Sequence, residues 1–330
     1  MLSTFRQNVG HGDARSDAYV IETHNLSKRY KTGIALKGLN LRIPKNTICG
    51  FLGPNGAGKS TAIRLLLGLS KASSGNGMVF GLDIERDSVA IRRRVGYLAQ
   101  DPHFYDHMTA RQTLRFVCSF FYSGPSSVLE KRISDSLDLV GLNDKADRPI
   151  KGFSGGERQR LGIAQAYINH PQLMILDEPA ASIDPIGRRD ILEVMQRLRQ
   201  YTTIFYSTHL LDDVQRVSDM VVILKDGEML AHAPIEELLA GSGEVVYELQ
   251  LEGETSSAYE RLSSQAWVKQ VSVMRERDQE RWYVSVSDEE SAKMFLLPLL
   301  IQDGQPYVSA FGRKKHGLED IFLSMVENDK

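Results

Sequence analysis

The sequence predicts an α/β fold for its larger first part, followed by a smaller α+β domain. Three observations support this fold class. From Tyr19 to about Ile235, short β-rich runs alternate with amphipathic stretches, the order typical of layered α/β domains. A glycine-rich segment, Gly53–Thr61, lies between a predicted strand and a predicted helix. Beyond Gly241–Gly243 the order changes to strand, helix, two strands, helix and strand.

The larger domain is predicted to span residues 19–242, after a flexible N-terminal tail at 1–18. Between about residues 101 and 170 the helical pattern dominates, in Ala110–Tyr122 and Val128–Val140, which predicts an α-helical insert. The candidate strands around this insert are Tyr19–Thr23, Leu39–Ile43, Thr47–Leu52, Leu173–Asp177, Thr203–Tyr206 and Met220–Leu224.

The smaller domain is predicted to span residues 243–330. Its predicted elements are Val245–Leu251, Ser256–Ser264, Val268–Arg275, Arg281–Val286, Glu289–Ile301 and Tyr307–Phe311, and their order is that of the split βαβ, ferredoxin-like motif. We expect it to have a core of its own, which includes Trp267, Trp282, Tyr283, Phe295 and Phe311. A last amphipathic helix is predicted at Leu318–Val326.

Composition excludes several classes of protein. The 330 residues are 42% hydrophobic and 25% charged, as in globular domains. The longest apolar run, Met294–Ile301, is far shorter than the ~20 residues of a membrane-spanning helix. Cys49 and Cys118 lack the spacing of a disulfide or zinc framework, which fits a reducing cytoplasm. A net charge of −2 does not favour a nucleic-acid binder.

The glycine-rich segment matches the phosphate-binding pattern G-x-x-x-x-G-K-[ST]. Its glycines allow backbone N–H groups to surround a phosphate, the following helix adds a favourable dipole, Lys59 can reach the outer phosphates and Ser60 can ligate Mg²⁺. The alternative is a plain strand-to-helix turn, which gives no reason for Lys59 and Ser60 at these offsets. The predicted nucleotide-binding residues are Gly53, Pro54, Asn55, Gly56, Ala57, Gly58, Lys59, Ser60 and Thr61.

Two further segments carry candidate chemistry. The apolar run Leu173–Leu176 ends in Asp177 and Glu178, which predicts a buried strand that delivers a magnesium-binding carboxylate and a carboxylate that polarises water. Taken alone, such a run is more often a solvated strand end, and it is the phosphate-binding pattern upstream that favours the site. Ser154-Gly-Gly-Glu157 fits a capping box, but its glycines also leave helix N–H groups open to an anion, and the residues alone do not decide between the two.

Six motifs in sequence order resemble those of ATP-binding-cassette (ABC) ATPases. They are Gly53–Thr61, Gln100, Phe153-Ser-Gly-Gly-Glu-Arg-Gln-Arg160, Leu176-Asp-Glu-Pro179, Ser182-Ile-Asp184 and Ser207-Thr-His209. The resemblance implies a P-loop NTPase cassette with a RecA-like core, a β-subdomain and an α-helical subdomain. It also implies that the cofactors are ATP and Mg²⁺, and that two cassettes form a homodimer around two ATP molecules.

The resemblance implies a role for each motif. Tyr30 would stack on adenine, Glu178, His209 and Gln100 would be catalytic, and Asp184 would lie at the dimer contact. Magnesium would be held by Ser60, Gln100 and Asp177. The signature residues Ser154, Gly155, Gly156 and Glu157 would contact the nucleotide of the opposite subunit. Phe153, Glu157, Ala180 and Ile183 depart from the usual family residues.

The predicted function is ATP hydrolysis that drives transport through separate integral membrane permease subunits. The C-terminal segment is similar to extensions of type-2 ABC exporter ATPases, which implies an exporter, held peripherally at the cytoplasmic face of the membrane. We expect Asp101–Met108 and the helical insert to accept a helix of the permease, although Phe104 and Tyr105 could equally pack the insert. The alternative is a soluble ABC ATPase acting on ribosomes or DNA. A regulatory module without turnover is disfavoured by Glu178 and His209.

Overall fold

The computed structural model describes residues 18–240, 245–276, 279–302, 304–314, 318–319 and 321–322. The chain forms two compact units that divide between Ile235 and Glu236. The predicted boundary at residues 242/243, the tail up to residue 17 and most of the predicted last helix lie outside the described residues. Across the described ranges, no helix combines the length and the apolar character that membrane crossing requires.

The first unit contains eleven strands and seven α-helices in its described residues, and an eighth α-helix begins at its last residue. The strands are β1 (Tyr19–Tyr30), β2 (Gly33–Leu39), β3 (Arg42–Pro44), β4 (Ile48–Leu52), β5 (Ser74–Val79), β6 (Leu82–Asp83), β7 (Val95–Leu98), β8 (Leu173–Asp177), β9 (Thr203–Thr208), β10 (Met220–Lys225) and β11 (Glu228–Pro234). The helices are α1 (Lys59–Leu66), α2 (Ser88–Arg94), α3 (Ala110–Cys118), α4 (Ser126–Leu139), α5 (Gly155–Tyr167), α6 (Pro185–Leu198), α7 (Leu211–Val217) and α8 (Ile235–Ala240).

The central sheet of the first unit has the order β11-β10-β4-β9-β8-β7. All neighbouring pairs are parallel except β10 and β11, which form an antiparallel hairpin. Every residue of β4, β8 and β9 is buried, because strands of a parallel sheet are covered on both faces. The continuous apolar runs in the sequence follow from this burial. The carboxyl ends of these three strands meet at one edge, where ligands of α/β sheets bind.

A second, antiparallel sheet has the order β2-β1-β5-β6, with β3 also paired to β1. The prediction of one strand at Leu39–Ile43 is wrong, because β2 ends at Leu39 and β3 begins at Arg42. Side-chain hydrogen bonds stabilise the irregular backbone between β2 and β3. The Asn40 amide donates to the Gly38 carbonyl (2.9 Å), and Leu41 N–H donates to Thr23 Oγ1 (2.8 Å). The two short strands therefore pair with different parts of β1.

The predicted helical insert contains α3, α4 and α5. The first of these ends at Cys118, four residues before its predicted end, and Phe120 and Phe121 continue in tight turns with N–H bonds to residues three positions back. Thr109 caps α3 with a reciprocal capping box to Gln112. This capping fixes the start of the helix just after the predicted permease-contact segment.

The second unit contains β12 (Val245–Glu252), α9 (Ser256–Ser263), β13 (Val268–Glu276), β14 (Gln279–Val286), α10 (Glu289–Leu300) and β15 (Tyr307–Arg313). Its sheet has the order β13-β14-β12-β15, with every neighbouring pair antiparallel. Along the chain, a helix follows β12 and another follows β14, as the split βαβ motif requires. The ferredoxin-like order predicted from the sequence is therefore present.

The core of the second unit differs in part from the prediction. Trp282 is buried and Trp267 packs against the core. The prediction of Phe295 and Phe311 as core residues is wrong, because they are 50% and 41% exposed. The buried face of α10 consists of Ala292, Leu296 and Leu300, spaced four residues apart, and Phe295 lies beside this stripe. Tyr283 alternates with the buried Trp282 and Val284 on β14, so it faces the other side of the sheet.

Candidate functional site

The glycine-rich loop joins β4 to α1 at the carboxyl edge of the central sheet. Gly53 N–H donates to the Thr208 carbonyl (3.2 Å) at the end of β9, which fixes the start of the loop. Gly58 has a φ of 107°, and a Cβ there would lie 2.4 Å from the Ala35 carbonyl oxygen. Only glycine fits this position without displacing backbone. The loop residues Pro54, Asn55 and Gly56 are exposed, and Ala57 is buried.

Lys59 lies over the loop that precedes it. Its ammonium donates to the carbonyl oxygens of Gly53 (2.6 Å) and Pro54 (3.3 Å), and the side chain is only 6% exposed. A buried cation at the first turn of α1 is suited to anionic oxygen atoms that enter the loop. The charge of Lys59 and the backbone geometry of the loop are therefore consistent with the predicted binding of phosphate.

Two buried carboxylates face the loop from the end of β8. Glu178 Oε1 lies 3.2 Å from Lys59 Nζ as an ion pair, although without hydrogen-bond geometry. Glu178 Oε2 lies 3.0 Å from His209 Nδ1. Asp177 Oδ1 accepts a 3.4 Å hydrogen bond from Ser60 Oγ. Both carboxylates are 5% exposed. These contacts bring together five predicted site residues from three segments of the chain.

Ser207 bonds the carboxylate of Asp177 and the backbone N–H of Glu178, and the sequence predicts no role of its own for it. Its Oγ donates to Asp177 Oδ1 (2.5 Å) and accepts from Glu178 N–H (2.8 Å). The register of β8 and β9 pairs Asp177 directly with Ser207. The sequence feature that could have indicated Ser207 is its place in the Ser207-Thr-His209 motif. The family resemblance implies a role for His209 alone in that motif.

The signature segment forms a complete capping box at the start of α5. Ser154 Oγ accepts from Glu157 N–H (3.2 Å), and Glu157 Oε2 accepts from Ser154 N–H (2.8 Å). Burial acts to raise the pKa of Glu157, but hydrogen bonds from Lys145 (2.7 Å) and Ser154 outweigh it and lower the pKa. Among the described contacts, no hydrogen bond or ion pair joins Ser154–Glu157 to Lys59 or to the two carboxylates.

Tyr30, Gln100 and Asp184 make no described hydrogen bond or ion pair with Lys59 or with the two carboxylates. Tyr30 ends β1, is 40% exposed and has Lys28 Nζ 5.0 Å from its ring centre. Gln100 is exposed two residues after β7, which pairs with β8, so it follows the same sheet edge as Asp177. Asp184 caps α6 by accepting from the N–H groups of Ile186 (3.1 Å) and Gly187 (2.9 Å).

The oxygen donors at this edge fit a magnesium ion. Mg²⁺ prefers carboxylate and hydroxyl oxygens together with phosphate oxygens and water. Ser60 Oγ and Asp177 Oδ1 are such atoms and lie 3.4 Å apart. A metal held partly by nucleotide phosphates needs few protein ligands, so these two oxygens and Gln100 are a suitable set.

Comparisons with known proteins identify the family. A family model described as ABC transporter matches residues 36–181. The uncharacterized ABC transporter ATP-binding protein YxlF of Bacillus subtilis is 34% identical over 315 residues, which cover 93% of this chain and 99% of that protein. The bacitracin transport ATP-binding protein BcrA of Bacillus licheniformis is 36% identical over 221 residues, which cover 66% of this chain and 71% of that protein.

A solved structure is similar as well. The dimeric post-hydrolysis state of the ATP-binding cassette MJ0796, bound to ADP and Pi, has a TM-score of 0.59 at 26% identity and covers 65% of this chain and 98% of its own. These names describe transport proteins and give no support to an ATPase that acts on ribosomes or DNA. With a relative of 34% identity along nearly its whole length, the chain belongs to the ATP-binding subunits of ABC transporters, which hydrolyse ATP.

Proposed function

We propose that this chain is the ATPase subunit of an ABC exporter, and that it drives transport through separate integral membrane permease subunits at the cytoplasmic face of the membrane. The observation that carries the proposal is the position of Glu178, whose carboxylate lies between Lys59 and His209 beside the phosphate loop. A carboxylate fixed in this way can accept the proton of an attacking water.

We assign the following roles to the site residues. Lys59 and the N–H groups of the loop bind the β- and γ-phosphates of ATP, and Tyr30 packs on the adenine. Ser60, Asp177 and Gln100 hold Mg²⁺, which neutralises charge on the phosphate oxygens when bound. Glu178 orients and deprotonates the attacking water. His209 holds the second Glu178 oxygen and contacts the γ-phosphate, so the carboxylate keeps its direction during the reaction.

We further propose that the nucleotide lies between two copies of the chain. Ser154 and Gly155 are exposed at the start of the 13-residue helix α5, where N–H groups and the helix dipole favour an anion. These residues have no described contact with the phosphate loop of their own chain, which supports contact with the nucleotide of a second copy. The dimeric state of the similar cassette MJ0796 also supports this arrangement.

Two observations support an exporter and its permease contact. The similar protein BcrA is named for bacitracin transport. In this chain Tyr105, Phe116 and Phe120 of the helical insert are 62%, 49% and 69% exposed. Large exposed aromatic side chains are typical of protein contact surfaces. We therefore propose that the insert receives the permease, and that the second unit is an accessory to dimer contact or permease docking.

The variant Glu178→Gln tests the central role. The amide keeps the size of the side chain but cannot accept the proton, so ATP turnover should fall by about 10²–10⁴-fold. Nucleotide binding should remain, and ATP should then hold the chain as a dimer on size-exclusion chromatography. A variant that stays monomeric with ATP and turns over at the parental rate contradicts the proposed function. Glu228→Gln, at an exposed surface ion pair with Lys37, is the control.

A further inference from the structure

We infer that Ser207 is a positioning residue for ATP hydrolysis, which acts by fixing the backbone of Glu178; the inference rests on the function proposed above. Its hydroxyl is the one described group that bonds both carboxylate residues at the end of β8. Ser207 itself is fully buried, so water does not compete for either bond.

The direction of each hydrogen bond follows from the donors and acceptors available. The Ser207 hydroxyl donates its single proton to Asp177 Oδ1, at 2.5 Å. A lone pair of the same oxygen then faces the N–H of Glu178, at 2.8 Å. Asp177 therefore orients the hydroxyl, and the hydroxyl in turn holds Glu178.

Glu178 requires such a restraint because of its backbone conformation. Its φ is 51°, in the left-handed region, which strains a residue other than glycine and persists only when the surroundings impose it. The paired register of β8 and β9 ends at Asp177 and Ser207. The Ser207 hydroxyl thus supplies a partner to the first N–H group beyond the paired residues. This bond directs the Glu178 side chain toward Lys59 and His209.

A purely structural role makes a different prediction. A hydroxyl that only satisfies a buried N–H should lower stability when removed and leave turnover unchanged. The neighbouring residue on β9 offers a matched control, because the Tyr206 hydroxyl makes a buried 2.9 Å hydrogen bond to Ser218 Oγ. Tyr206→Phe removes one buried hydroxyl from the same strand without contact to either carboxylate.

The test measures kcat, KM, nucleotide affinity and melting temperature of the full chain with Mg²⁺ and ATP. Ser207→Ala should lower kcat at least about tenfold while ATP affinity stays within about threefold. Ser207→Cys, with a weaker donor and acceptor of similar shape, should give a smaller loss. Tyr206→Phe should lower the melting temperature with parental kcat. A parental kcat in Ser207→Ala overturns the inference.

A double-mutant cycle separates this inference from the proposed function. If Ser207 acts through Glu178, Ser207→Ala should lower the residual turnover of Glu178→Gln by no more than about threefold. Losses that multiply would mean that Ser207 acts by another route and overturn the inference alone. Parental turnover in Glu178→Gln would overturn both the proposed function and this inference.

Discussion

The two oxygens of Glu178 contact different basic side chains, and this sets the electrostatics of the site. Lys59 lies 3.2 Å from Oε1 and His209 lies 3.0 Å from Oε2. Lys59 and Glu178 are nearly fully buried, so each charge depends on its partner. Removal of one member of a buried pair leaves the other without compensation, which is strongly unfavourable. Lys59 therefore supports the position of Glu178 as well as the binding of phosphate.

Lys59→Ala should accordingly lose both functions. We expect Mg²⁺–ATP affinity to fall at least about tenfold, because the cation that offsets the β/γ-phosphate charge is gone, and turnover to fall below detection. Calorimetric titration and phosphate release measure the two effects. Lys37→Ala, which removes an exposed lysine paired with Glu228, is the control and should match the parent. Unchanged turnover in Lys59→Ala would mean that the site is assigned to the wrong loop.

At the residue scale, the site residues that could be predicted from the sequence are those whose positions follow from local spacing. Lys59 and Ser60 occupy fixed offsets in the loop pattern, and Asp177 and Glu178 end an apolar run. The role of Ser207 could not be predicted in the same way, because it depends on the register between two strands whose paired residues are 30 positions apart. The stacking role of Tyr30 stays a prediction, since its exposed ring contacts Lys28 rather than a site residue.

At the element scale, β9 is the strand that brings the site together. It lies between β4, which leads into the phosphate loop, and β8, which carries the carboxylates. Its Thr208 carbonyl bonds the start of the loop, and its Ser207 hydroxyl bonds both acidic residues. A slip of one residue in this register would turn every side chain of the strand to the opposite face. The geometry of the site is therefore set by strand pairing in the buried sheet.

The capping box of α5 gives a prediction about pH. The pKa of Glu157 lies below its usual 4.5, against the effect of burial, owing to Lys145 and Ser154. A lowered folded-state pKa contributes stability above the unfolded value, and this stability is lost as the pH falls through the folded value. Glu157→Gln keeps an acceptor for Ser154 N–H but loses the ion pair, so it should cost about 0.5–1 kcal/mol at pH 7.

Thermal unfolding of both proteins across pH measures this effect. The difference in melting temperature should be present at pH 7 and should close below about pH 4.5, where Glu157 of the parent becomes protonated. The comparison cancels the titration of every other group in the chain. A difference that is the same at pH 7 and in acid would show that the Lys145 ion pair adds nothing to the cap.

Elements were predicted best where burial imposes a regular pattern. The predicted bounds of β8, β9 and the strands of the second unit differ from the observed ones by at most two residues at each end. The strand β5 was not predicted, because its sequence Ser-Gly-Asn-Gly-Met-Val has little alternation and depends on pairing with β1 and β6. The prediction of Phe295 as a core residue relied on its hydrophobicity alone. In the structure, α10 buries the adjacent stripe of Ala292, Leu296 and Leu300 instead.

At the scale of the whole molecule, the residues assigned to chemistry lie in one of the two units. Every residue assigned a role in the nucleotide site lies between Tyr30 and His209, within the first unit. The second unit has its own buried cluster around Trp282, Leu249 and Leu296. The sequence predicted this separation from the change in element order and from the inventory of motifs. The function of the second unit could not be predicted from the sequence, because its polar residues form no recognisable catalytic or binding motif.

Truncation after Ala240 tests the separation. Because the first unit keeps its complete core and all site residues, the shortened chain should bind ATP within about threefold of the full chain, a change under ~1 kcal/mol. Loss of the second unit should instead alter the lifetime of the ATP-bound dimer or coupling to the permease. Calorimetric titration measures affinity, circular dichroism checks folding, and Lys59→Ala in the truncated chain is the negative control. A folded truncated chain that does not bind ATP would place part of the nucleotide site beyond Ala240, or the boundary of the first unit further along the chain.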